Sequence, residues 1–100
     1  MADIRVDWIE LQSFIAAVFE NSGLSEEDAA IEAEVLVWAN LRGVDSHGVQ
    51  RVAGYIHSLE AGHYNARPDI RVDKETPGTM LIEADRAFGP VVTTYAMKQA

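Results

Sequence analysis

Ten residues hold most of the chemistry this chain can do: Arg42-Gly43-Val44-Asp45-Ser46-His47-Gly48-Val49-Gln50-Arg51. His47 brings an imidazole, a group that can give or take a proton at physiological pH. The hydroxyl directly before it, on Ser46, can orient a substrate or relay that proton. Arg51, four residues later, presents a planar fork of donors that matches a carboxylate. Free amides at the start of a helix would favour the same anion. The combination suits a small substrate with a carboxylate beside a group that needs a proton, which is the shape of a 2-oxo or 2-hydroxy acid. Spacing alone leaves a plainer reading open: Ser46 as a helix cap, His47 as a solvated first-turn residue, and Arg51 paired with a surface acid such as Glu10 or Asp45.

The elements around this stretch follow from hydrophobic period. Ile4-Arg5-Val6 alternates and predicts a short edge strand. Asp7, three residues before Glu10, caps a first helix whose apolar stripe is Trp8, Leu11, Ile15, Val18 and Phe19, and Gly23 stops it. Ser25 caps a second helix, with Asp28 at its third position and Glu26 and Glu27 in its first turn. Its stripe is Ala29, Ala30, Ala33, Val37 and Leu41, and Gly43 ends it. The acids Glu26, Glu27, Glu32 and Glu34 read as a solvated face. Asp45 or Ser46 then caps a third helix from about His47 to Ala61, with Val49, Val52, Tyr55, Ile56 and Leu59 on its apolar side and Gly62 after it. In such a helix His47 and Arg51 share one face of the first turn.

Beyond Gly62 the period changes. Asp69-Ile70-Arg71-Val72-Asp73 alternates as a half-buried strand, Thr76-Pro77-Gly78 turns, and Met80 to Ala84 returns. Phe88-Gly89-Pro90 opens a last helix carrying Val91, Tyr95 and Lys98. The fold class is α+β: a short N-terminal strand, a three-helix segment, a β-hairpin and a C-terminal helix. Residues 1–62 form the helical segment, and residues 69–100 the hairpin plus the start of the next helix. The pattern ends inside that helix without a cap, which suggests that 1–100 is the N-terminal portion of a larger chain.

The net charge of −8 argues against nucleic acid and anionic membranes as partners, since both recruit basic surfaces. No cysteine is present, so thiolate metal sites and disulfides are excluded. His57 and His63 are six apart, a poor spacing for sharing a metal, and no metal site is assigned. No leader or membrane span is visible, and a cytoplasmic location is expected. Arg42 supports the loop or pairs with an acid, Tyr55 belongs to the core, and Trp8 and Trp38 are core or dimer-interface residues.

The run Arg42-Gly43-Val44-Asp45-Ser46-His47-Gly48, followed by Arg51 and Tyr55, closely resembles the signature of the type-2 malate/L-lactate dehydrogenase family. The Gly23-to-Ala29 entry to the second helix, the segment from Tyr55 to Gly62, the Pro-containing hairpin and Phe88-Gly89 extend the likeness over nearly the whole chain. The resemblance implies the N-terminal part of an NAD(P)H-dependent oxidoreductase that interconverts a small 2-oxo acid, or a cyclic imino acid, with its 2-hydroxy or amino acid. It implies that His47 is the proton donor, that Ser46 joins a charge relay with an aspartate from a later segment, and that Arg51 binds the substrate carboxylate. NAD or NADP would be held by a non-Rossmann fold particular to the family, beyond Ala100, and no cofactor-binding residue is assigned here. The sequence accordingly has no Gly-x-Gly-x-x-Gly after a strand. The family is generally homodimeric, which would leave apolar faces at Trp38 and at Val91–Tyr95. An isolated 1–100 chain is expected to be inactive. The alternative function is a small, non-catalytic helical interaction module; a helix-turn-helix DNA reader is disfavoured by the acidic charge.

Overall fold

The computed structural model describes residues 4–100. Residues 1–3, which begin the stretch read as lacking an apolar leader, lie outside it. The order is α1 (Trp8–Asn21), α2 (Glu26–Leu41), two short 3-10 turns (Asp45–His47 and Val49–Arg51), α3 (Val52–Glu60), β1 (Arg71–Thr76), β2 (Thr79–Glu83) and α4 (Gly89–Gln99). The α+β class holds, with four helices and a two-stranded antiparallel sheet.

The expected N-terminal strand does not form. Ile4 and Val6 are exposed and irregular, and among the described residues the hairpin strands pair only with each other. Asp7 does cap α1, but its carboxylate accepts from the Ile9 amide, not from that of Glu10. Ser25 caps α2 through the Asp28 amide at 3.1 Å. After both helices the chain reverses on a glycine with positive φ, Gly23 at 114° and Gly43 at 79°, a conformation that a Cβ would strain.

α1 and α2 pack as an antiparallel pair around Ile15, Phe19, Leu24, Ala29, Ala33, Leu36 and Val37. The alanines of α2 let the helices approach closely, which places the large side chains of α1 between them. Phe88 closes the far end of this core. Its ring stacks on Tyr64 at 4.2 Å between centroids and meets Phe19 and Tyr55 edge-on at 5.9 and 5.7 Å. The turn that delivers Phe88 runs through two left-handed residues, Asp85 and Arg86, at φ 52° and 58°. Polar bonds hold this strained pair. Asp85 accepts from the Asn65 side chain and the Asp69 amide, and Arg86 donates to the Gly62 carbonyl at 2.9 Å.

The first strand of the hairpin starts two residues later than the alternation predicts, and the second one residue earlier. Asp85 takes the Asp69 amide out of the ladder, and the strand instead continues to Thr76, whose hydroxyl bonds that of Thr79 across the Pro77-Gly78 turn. A bulge at Asp73 shifts the register between Val72 and Lys74. The hairpin is mostly exposed, not half-buried, and none of its strand residues joins the core.

Candidate active site

The third helix starts five residues later than expected, and this reshapes the site. Two single 3-10 turns run from Asp45 to Arg51 on either side of Gly48, and α-helix begins only at Val52. No side chain caps α3. Neither Asp45 nor Ser46 serves as its N-cap, because both are engaged elsewhere. The predicted helical face shared by His47 and Arg51 therefore does not exist.

Ser46 links the two instead. Its hydroxyl lies 2.9 Å from His47 Nδ1, and its carbonyl accepts from Arg51 Nε at 2.7 Å. With Nδ1 facing the Ser46 hydroxyl, Nε2 is the nitrogen that remains open; in the imidazolium, Nδ1–H donates to Ser46 Oγ and Nε2–H is free for a substrate. With Nε tied to the backbone, the two terminal nitrogens of Arg51 remain as a fork for a carboxylate. All three residues are exposed. His47 and Arg51 line different hollows. The one beside His47 has a volume of about 290 Å³ and includes Glu32, Leu36, Trp38, Val44 and Pro90. The one beside Arg51, of about 440 Å³, includes Gln50, Gly54, Ser58 and Tyr64. Tyr55 borders both. As expected, Tyr55 also packs against the core.

Asn40, near the end of α2, sets this loop and was not singled out by its sequence. Its Nδ2 donates to Asp45 at 2.9 Å, and its Oδ1 accepts from the Val49 amide at 2.8 Å. One side chain thus ties down both sides of the Ser46-His47 pair. A Cβ on Gly48 would collide with the Asn40 amide, so here glycine provides room, not a special φ. The available signal was a polar, weakly helix-forming residue in the last turn, beside the buried Ala39.

Glu32 contradicts its reading as part of a solvated face. It is fully buried, and neither carboxyl oxygen has a hydrogen-bond partner. Burial, with Asp28 adding to it, pushes its pKa up to about 7. Asp28 itself is raised above the ordinary carboxylate value, chiefly by burial and then by Glu27. Arg42 stacks over the Trp38 ring at 5.2 Å and pairs with no acid among the described residues. Trp8 and Trp38 are about half exposed and lie outside the core. The Trp38 face is open as expected, whereas Val91 is buried. Among the described residues no three His, Asp or Glu side chains converge on a metal position, and no helix is long and apolar enough to cross a membrane.

Nor do these elements form a dinucleotide cradle. The sheet is a two-stranded antiparallel hairpin, and the described strand-to-helix connection, Ala84–Phe88, contains no glycine.

The profile of the malate/L-lactate dehydrogenase family matches residues 6–100, and the chain belongs to that family. It is 47% identical over 97 residues to malate dehydrogenase from Pyrococcus horikoshii, covering 97% of this chain and 27% of that protein. The structure of that enzyme superposes with a TM-score of 0.91, over 95% of this chain and 27% of the other. Sulfolactate dehydrogenase from Methanocaldococcus jannaschii superposes with a TM-score of 0.92 at 39% identity, over 97% of this chain and 28% of the other. Ureidoglycolate dehydrogenase from Escherichia coli is 39% identical over 79 residues, which is 79% of this chain and 23% of that protein. The chain thus spans about a quarter of the length of these relatives.

Proposed function

We propose that this chain is the N-terminal, substrate-handling portion of a larger NAD(P)-dependent oxidoreductase that interconverts small 2-oxo and 2-hydroxy acids. The carrying observation is the double use of Ser46, which joins a proton donor to a carboxylate clamp through its own two oxygens. As the imidazolium, His47 gives its Nε2 proton to the carbonyl oxygen as reduction proceeds, is left as the neutral ring with its remaining proton on Nδ1, and takes the proton back in the reverse direction. Ser46 fixes the ring and its tautomer. Arg51 holds the substrate carboxylate, setting the distance between the reacting carbon and the imidazole.

The nicotinamide cofactor, NADH or NADPH, supplies the hydride when bound. Its cradle lies outside these residues, in a fold unlike the usual Gly-rich crevice. Family membership supports this class of activity, and the names of the relatives support a carboxylate substrate. A homodimer is part of the proposal, supported by the open apolar face at Val35, Trp38 and Leu41. The partner is a small carboxylate, not nucleic acid or membrane, and the location is cytoplasmic.

Arg51→Ala tests the clamp. In the complete protein the KM for a 2-oxo acid should rise by about 10- to 100-fold, the worth of a lost charge-assisted pair. An unchanged KM would remove Arg51 from the substrate site.

A further inference from the structure

Among the described residues Glu32 is the one buried charged side chain, and both of its carboxyl oxygens are without a hydrogen-bond partner. Buried polar groups are nearly always satisfied, and this one is an exception. Glu32 belongs to the wall of the hollow beside His47, whose other walls are largely apolar: Val35, Leu36, Val44, Tyr55 and Pro90. This inference rests on the functional reading above. In that reading the reacting carbonyl lies at His47 and the substrate carboxylate at Arg51, which borders the other hollow. The third substituent of the 2-oxo acid has to go elsewhere, and the space beside His47 is available to it.

We propose that Glu32 selects that third substituent, admitting apolar side groups and excluding a second carboxylate or a sulfonate. A second anion would be brought toward an acid that burial has deprived of water. The only cationic group on those walls is a protonated His47. Repulsion between like charges is stronger there than in solvent. Asp28, one turn earlier on α2, adds a field of the same sign. The names of the relatives, spanning malate, sulfolactate and ureidoglycolate, leave the side group open; Glu32 narrows it in this chain.

The test compares kcat/KM for 2-oxobutyrate and oxaloacetate in the complete protein at about pH 8, where Glu32 is mostly ionised. The expected wild-type preference is for 2-oxobutyrate, and both Glu32→Gln and Glu32→Leu should move the ratio about tenfold toward oxaloacetate. The leucine variant replaces an orphaned carboxyl with a side chain that the apolar wall can bury, so loss of folding is not expected to obscure the result. A ratio unmoved in both variants, or a wild-type preference for oxaloacetate, overturns the role given to Glu32. No turnover by the wild type of any acid in a 2-oxo acid panel that includes these two would instead sink the functional reading, and this inference with it.

Discussion

Burial keeps the Glu32 carboxyl protonated to about pH 7, and this links folding to pH. Below about pH 4.5 the group is neutral whether the chain is folded or not, and burying it carries no charge penalty. As pH rises from there the unfolded chain ionises first while the folded one holds its proton, so stability falls. The loss is complete above about pH 7, where both states are charged, and amounts to on the order of 3 kcal/mol. Asp28 pushes in the same direction. Denaturant midpoints of the wild type should therefore fall between pH 5 and pH 8 by more than those of Glu32→Leu; parallel profiles would show that Glu32 is solvated in the folded state. The position of Glu32 was legible in one respect. It lies three residues after Ala29 and four before Leu36, both buried, so the helical period puts it on the inner stripe. Grouping it with the other acids by charge hid that. The types and order of Ser46, His47 and Arg51 were equally legible, but their contacts were not, because those depend on backbone turns that spacing does not determine.

Elements decide how those side chains are presented. α1 and α2 could be read closely from caps and stripes, since each has a polar capping residue and a glycine stop. α3 could not, because the backbone from Asp45 to Arg51 answers to Asn40 and not to helix propensity. The hairpin's register escaped for the same kind of reason: Asp85, from beyond the returning strand, captures the Asp69 amide. Gly48→Ala tests the loop's construction. The new methyl must displace the Asn40 amide, leaving the half-buried Val49 N–H without its acceptor. The expected cost is about 1–3 kcal/mol in stability, with a drop in kcat as the Ser46-His47 turn loosens. Asn40→Ala should give a similar loss by deleting both bonds. If Gly48→Ala keeps the wild-type Tm and rate, the Asn40 clasp does not hold the loop.

At the scale of the whole molecule, the chain is an elongated body of 55 × 28 × 20 Å, with a hairpin whose strands stay off the core. Trp8, Trp38 and Leu41 border one surface hollow, and Ile9 and Phe14 are exposed as well. Composition and periodicity were enough for the α+β class and for most of the helices. What they could not supply is the surroundings of His47, which depend on contacts between α2, the 3-10 turns and α4. The central claim is that His47 is the proton donor of a 2-oxo-acid reductase. Its most direct test is NAD(P)H oxidation by the complete protein against a panel of 2-oxo acids, with His47→Ala beside the wild type and the fold of both checked by circular dichroism. The expected result is turnover by the wild type and a loss of about 10²- to 10⁴-fold in kcat for the folded variant. A folded His47→Ala enzyme that keeps the wild-type rate would contradict the claim.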